Sequence, residues 1–186
     1  MTTIIDYGIG NIGSIANMLK KIGEDSIISA DVNEIGKATR LILCGIGAFD
    51  DGMNKLEELG ILEVLKQSVL KDKIPILGIC LGMQLFTQGS EEGKKEGLGF
   101  VNAETKPFNF STLTDASSFR IPHIGWNDVT PGKPSRLFEP MHSEPRYYFV
   151  HSYYVKLEEP QDELLSTKYG IEFTSAFEKD KVEIYH

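Results

Sequence analysis

Scarcity sets the first limits on this chain. Only two of its 186 residues are cysteine, Cys44 and Cys80, and they form no Cys-x-x-Cys pair. That excludes a disulfide framework and is what a reducing cytoplasm would produce. No apolar run approaches the ~20 residues of a membrane-crossing helix, and the first residues lack a signal-peptide pattern. Positive charge is the minority sign: 19 Lys and Arg against 27 Asp and Glu leave a net charge of −8. The electrostatic footprint of a nucleic-acid binder is therefore missing. There is one Trp, no internal repeat and no low-complexity linker. What remains, 41% hydrophobic and 25% charged with 18 Gly, suits one globular domain over 1–186. A chain of that length buries about 70% of its unfolded surface.

The most informative stretch is Lys73-Ile-Pro-Ile-Leu-Gly-Ile-Cys-Leu-Gly-Met-Gln84. Ile74 to Leu77, with Ile79, reads as a buried strand. Met83, Gln84, Leu85 and Phe86 start a helical pattern directly after Gly78-Ile-Cys-Leu-Gly82. This is a nucleophile elbow with cysteine in the place of serine. A nucleophile on so sharp a turn sits in strained backbone, and side chains two residues to either side would collide with their neighbours. Gly78 and Gly82 occupy those two positions. The helix start beneath Cys80 is expected to favour its thiolate and to offer free N–H groups to a developing oxyanion. The plainer reading is a structural cysteine at a strand end. The coincidence of strand, paired glycines and helix argues against it.

From the N-terminus, Thr2 to Tyr7 reads as a strand running into Gly8-Ile-Gly-Asn-Ile-Gly13. A helix follows, with Ile15, Met18, Leu19 and Ile22 at helical spacing and Gly23 closing it. The GxGxxG spacing matches a dinucleotide fingerprint. Asp6, two residues ahead of the first glycine, would oppose a pyrophosphate, and a tight strand-to-helix turn explains the glycines more simply. Further strands are expected at Ser26–Ser29 and Arg40–Cys44, with room for a short helix between them. Cys44-Gly-Ile-Gly47 then leaves N–H groups free to point outward, at the same carboxyl edge of a parallel sheet as Cys80. This loop is read as the second half of an oxyanion hole.

A long helix is expected from about Met53 to Leu70, a polar glycine-rich loop from Gly89 to Gly99, and an irregular connection from Pro107 to Phe119. Trp126 would be a contact hot spot if exposed and core filling if buried. Arg146 to Val155 is an aromatic, β-branched strand interrupted by His151-Ser152, a polar pair of the kind that faces a site. Residues 172–177 and 181–186 look like a hairpin. Strands alternating with helices and then mostly strands predict an α/β fold, with a largely parallel central sheet and antiparallel strands added in the second half.

Six stretches carry a resemblance: IIDYGIGN (4–11), CGIGAF (44–49), GICLGMQLF (78–86), EGLGF (96–100), IPHIGWNDV (121–129) and YYFVHSYYV (147–155). Together they resemble the class-I, triad-type glutamine amidotransferases, and more closely the glutaminase subunits of imidazole glycerol phosphate synthase. GICLGMQ marks the wider superfamily, whereas DYGIGN, PHIGWN and FVHSYYV are specific to those subunits. The resemblance implies a flavodoxin-like three-layer sandwich, L-glutamine as substrate, and no cofactor or metal. Cys80 would attack the glutamine carboxamide, forming a glutamyl thioester and releasing ammonia. The backbone of Gly45, Ile46 and Gly47, with the N–H of Leu81, would form the oxyanion hole. Gln84 and His151-Ser152-Tyr153 would hold the amino and carboxylate ends of the substrate. Asn11 and Trp126 would lie at the interface with a HisF-type cyclase subunit in a heterodimer. That partner would take the ammonia through a protected channel and make imidazole glycerol phosphate and an aminoimidazole carboxamide ribotide.

Two positions depart from the family pattern. Cys44 stands where the family has proline, which changes local stiffness more than chemistry. The family also completes its triad with His-Pro-Glu, and no such tripeptide occurs here. His186 stands near where that strand should fall. Either it is the triad base without its glutamate, or the true base lies past a truncated or altered end. His123 in the interface motif, His142 in a loop and His151 in the glutamine-binding segment fit the base worse. Without a base Cys80 is expected to be a poor glutaminase. The incomplete triad leaves a non-catalytic binding subunit as one alternative. Others are an ammonia donor for a surface-polysaccharide sugar amidotransferase, since partner identity is not written in one chain, and a nucleotide-dependent oxidoreductase built on GIGNIG.

Overall fold

The structure, a computed structural model, describes residues 1–135, 137, 145–179 and 182–185. Its first half is built from β-branched strands, each followed by a helix. These are β1 (Thr2–Ile5), α1 (Ile12–Lys21), β2 (Ser26–Ser29), α2 (Val32–Ile35), β3 (Arg40–Gly45), α3 (Phe49–Glu58), α4 (Ile61–Lys66), β4 (Ile76–Cys80) and α5 (Leu81–Leu85). The second half is mostly strands: β5 (Gly89–Ser90), β6 (Ala103–Pro107), β7 (His123–Asp128), β8 (Thr130–Pro131), β9 (Arg146–His151), β10 (Tyr153–Leu157), β11 (Glu163–Tyr169), β12 (Ile171–Lys179) and β13 (Val182–Tyr185).

The main sheet runs in the order β2-β1-β3-β4-β13-β12-β10-β6-β5. From β2 to β13 all neighbours are parallel, and β12 and β10 then add antiparallel pairings. This is the doubly wound, flavodoxin-type arrangement that the resemblance implied, and the parallel sheet with an antiparallel extension is the one the strand and helix pattern predicted. The expected terminal hairpin is present as β12–β13, with Phe177 opposite Ile184. Side chains alternate across the parallel strands. Ile5, Leu41 and Leu43 enter one core with Phe49, Leu56, Leu65, Phe86 and Phe177, all nearly inaccessible. Ile4 and Ile42 are buried outside that core, and α1 packs against β1 and β2. A second core, centred on Phe108, Phe149 and Phe173, lies beneath a separate two-stranded ribbon of β7 and β9.

One expected element is corrected. The helix anticipated from Met53 to Leu70 is two helices. α3 starts earlier, at Phe49, and stops at Glu58; α4 restarts after Gly60, whose φ of +68° is a left-handed conformation. A wider turn over Gln67–Lys71 follows. Gly60 acts as a helix terminator, a signal that outweighs the apolar spacing around it. The strand expected from Arg146 to Val155 breaks at Ser152, so that β9 joins the ribbon and β10 the main sheet. Among the described residues no helix is long and apolar enough to cross a membrane.

Candidate active site

Cys80 ends β4 and precedes α5 directly, with φ +54° and ψ −116°. It is one of two described non-glycine residues at positive φ. Such backbone persists only when its surroundings hold it, and it is the sharp elbow that the sequence announced. The paired glycines have the packing reason predicted for them. A Cβ on Gly78 would come within 2.6 Å of Phe86 and 2.9 Å of the Met83 nitrogen. A Cβ on Gly82 would overlap the Leu43 carbonyl oxygen of the adjacent strand.

The thiol opens onto a cleft of about 430 Å³. Ile46 and Gly47 border it on one side, and Leu81 and Gln84 of α5 on another. His151, Ser152 and Tyr153, at the break between β9 and β10, form the facing wall. These sequence-predicted residues thus converge on one place from three separate segments. Gly45 does not line the cleft. It lies in β3 opposite Cys80, and the Tyr7 hydroxyl fills the space that a side chain there would need. That hydroxyl is buried with no hydrogen-bond partner among the described residues. Burial first, then the nearby Cys44 and Cys80 sulfurs, hold the Tyr7 phenol above its ordinary range.

The expected thiolate is a second correction. Burial pushes the Cys80 thiol up, and the opposing hydrogen bond from the Leu81 amide is the smaller effect. A helix of five residues has too few aligned peptides to reverse the cost of desolvating a charge. Burial thus favours the neutral thiol, and attack by Cys80 calls for a base to take its proton. His151 is badly placed for that task, because both its ring nitrogens are engaged, Nδ1 with the Tyr153 carbonyl and Nε2 with His123. His142 and His186 lie outside the described residues.

Sequence reasoning missed Glu92, Pro122 and Val150, which also line the cleft. Glu92 sits in the glycine-rich loop, and its carboxylate accepts from the Phe49 amide at 2.8 Å, which caps α3. Asp50 returns the clamp by accepting from the Lys94 and Lys95 amides at 3.0 and 2.9 Å. The Lys95 and Lys94 amides hold the Asp50 carboxyl below the usual carboxylate range, and the two carboxylates together tie the loop to the start of α3. The sequence signal, an acidic residue among glycines, gives no direction for its side chain.

The other candidates separate from the cleft. Asn11 is exposed and caps α1, its Oδ1 accepting from Ser14 N at 3.2 Å. Trp126 is 65% exposed. Its edge meets Tyr148 directly across the ribbon at 5.7 Å, beside the pair Ile124 and Val150. All four are exposed on one face of the ribbon, while His123, Phe149 and His151 point inward. At the GxGxxG loop, Gly8 N is taken by the Asp6 carboxylate at 3.0 Å, and Gly10 packs against the Cys44–Gly45 backbone. The loop is a tight turn and not a phosphate cradle.

A nucleophile elbow at the carboxyl edge of a parallel sheet, facing a glycine loop across a cleft, is the arrangement of α/β enzymes that carry an acyl group on a side-chain nucleophile. The glutamine amidotransferase class-I family model matches residues 3–186, and the chain belongs to that family. Among its relatives is the imidazole glycerol phosphate synthase subunit HisH 2 of Methanococcus maripaludis. It is 50% identical over 98% of this chain and 88% of its own length. The HisH subunit of Leptospira interrogans is 41% identical over the same shares. Solved structures share the fold at low identity. One described as a glutamine amidotransferase has a TM-score of 0.73 at 15% identity, over 98% of this chain and 87% of the other. The acivicin-bound glutaminase domain of Trypanosoma brucei CTPS has a TM-score of 0.63 at 13% identity, over 100% and 84%.

Proposed function

We propose that this chain is the glutaminase subunit of an imidazole glycerol phosphate synthase, hydrolysing L-glutamine and passing the ammonia to a HisF-type cyclase. The observation that carries this reading is Cys80 at an elbow of φ +54°, opening onto the cleft that Gln84 and Tyr153 share. The Cys80 sulfur attacks the carboxamide carbon, and the Gly47 and Leu81 amides take the charge on oxygen. Collapse of the tetrahedral adduct, with the proton taken from the thiol delivered to the nitrogen, expels ammonia and leaves a glutamyl thioester, which water then cleaves to glutamate and the free thiol. Glu92 presents a carboxylate to the cleft, suited to the ammonium end of the substrate. β13 runs parallel to β4 with Tyr185 opposite Ile79, leading toward the sheet edge that holds Cys80. That register supports His186 as the base that takes the thiol proton.

The exposed apolar face of Ile124, Trp126, Tyr148 and Val150 adjoins the cleft through Val150 and suits a partner that receives ammonia there. The test is Cys80→Ala in the complex with a HisF-type cyclase. Glutamine-dependent product formation is expected to vanish, while product formation from added ammonium persists. Loss of both activities would make Cys80 a structural residue and end the reading.

A further inference from the structure

The inward face of the β7–β9 ribbon carries a histidine pair for which the Cys80 chemistry has no use. His123 Nδ1 lies 2.9 Å from His151 Nε2, and His151 Nδ1 lies 2.8 Å from the Tyr153 carbonyl oxygen. A carbonyl only accepts, so His151 carries its proton on Nδ1 and presents a lone pair at Nε2. His123 must then donate from Nδ1. Its own Nε2 is left as the acceptor for the Asn127 amide, 3.5 Å away. Asn127 is oriented in turn, with Nδ2 donating to the Lys168 carbonyl at 3.1 Å and Oδ1 accepting from Asp128 N at 2.9 Å. The hydrogen bonds therefore run in one direction, from Asn127 through both imidazoles to the backbone at Tyr153. Rings fix the first imidazole in place: His123 stacks on Tyr169 with centroids 3.9 Å apart and on Phe149 at 5.0 Å. Burial holds both histidines below their ordinary range, which keeps the neutral tautomers this chain of bonds requires.

We infer that His123 is a positioning residue for glutamine binding: its Nδ1–H locks the His151 ring and, through it, the Ser152–Tyr153 wall of the cleft. The inference rests on the reading of that cleft as the glutamine site. His151, Ser152 and Tyr153 line the cleft, whereas His123 stands behind them. Ser152 is the single residue between β9 and β10, at the point where the chain leaves the ribbon for the main sheet. Its carbonyl accepts from Phe108 N at 3.2 Å on the main-sheet side, and the bond from His151 Nδ1 to the Tyr153 carbonyl braces the turn on the ribbon side. Removing the donor at position 123 breaks the bond at Nε2 and releases the constraint that keeps Nδ1–H on the Tyr153 carbonyl.

Two substitutions separate the hydrogen bond from ring packing. His123→Asn keeps an N–H where Nδ1 was and loses the ring. His123→Phe keeps a ring against Tyr169 and Phe149 and loses the donor. Calorimetric titration of the full chain with glutamine, in a Cys80→Ala background so that no substrate is consumed, reads the effect without turnover. His123→Phe is expected to raise Kd about tenfold, with His123→Asn within about threefold of the unsubstituted residue. Equal affinity for His123→Phe, or a larger loss for His123→Asn than for His123→Phe, overturns the inference alone. Absence of glutamine binding when His123 is intact overturns the glutamine reading and the inference with it. A direct check needs no variant at position 123: imidazole ¹⁵N spectra of the unaltered chain should show His151 protonated at Nδ1 and bare at Nε2. The opposite tautomer would break the proposed direction of the bonds and overturn the inference.

Discussion

Replacing Gly82 by alanine tests the elbow most sharply, because the site's chemistry depends on how closely two strands and a helix meet there. The added Cβ would overlap the Leu43 carbonyl oxygen and sit 2.7 Å from the Leu43 carbonyl carbon. Leu43 belongs to β3, held between β1 and β4, so the obstacle is backbone that cannot turn aside. Overpacking commonly costs about 1–3 kcal/mol, and a clash with backbone on a central strand belongs at the upper end, about 3 kcal/mol. For a chain of this size each kcal/mol moves Tm by roughly 2–4 °C, so Gly82→Ala should melt roughly 6–12 °C lower. Gly13→Ala is the matched control. Gly13 lies in α1 with nothing within 4 Å of the added methyl, and alanine there should stabilise by about 0.5–1 kcal/mol. Thermal melts followed by circular dichroism read both variants. A Gly82→Ala melt within 2 °C of the unaltered chain, on the order of a surface substitution, would refute the close contact on which the elbow argument rests.

Acid should destabilise the fold before carboxylates titrate. Burial lowers the His151 pKa from 6.5 to about 4, so the folded state resists a proton that the unfolded state accepts. That stability is fully present above about pH 6.5, declines as pH falls, and is lost by pH 4, with about 3 kcal/mol at stake; urea midpoints that stay flat from pH 7 to pH 5 would contradict it. Alkylation by iodoacetamide should be confined to Cys80 and rise with a pH midpoint above the ordinary thiol value, because burial disfavours its thiolate and Cys44 is only 5% exposed. A midpoint near neutrality would mean that the Leu81 amide outweighs desolvation. Trp126→Ser should leave Tm within about 2 °C, since the side chain is 65% exposed, while weakening cyclase binding by about 2 kcal/mol or more. A large fall in Tm with unchanged binding would place Trp126 in the core.

Local patterns made much of the site legible before any coordinates. Gly78-Ile-Cys-Leu-Gly82 declares an elbow because the glycine spacing is itself the signature, although the neighbours it makes room for include Leu43 on another strand. His151-Ser152 showed itself as polarity inside an apolar strand, and it does wall the cleft. Gly60 was equally local and was overlooked beneath the apolar spacing of the two helices it divides. Glu92 was beyond reach, since its direction is set by the Phe49 amide 43 positions earlier in the chain.

The order of apolar and glycine residues along the chain therefore determined the parallel α/β scaffold, the bend at Cys80 and the loops at its carboxyl edge. Apolar periodicity and glycine spacing are written residue by residue along the chain, even where the group they make room for, such as the Leu43 carbonyl, is distant in sequence. Tertiary structure alone decided the burial that disfavours the Cys80 thiolate, the place of Gly45 in β3 opposite Cys80 and not along the cleft, and the pairing of His123 with His151. Desolvation and hydrogen bonding depend on which distant segments close around a group, and no spacing in the sequence records that.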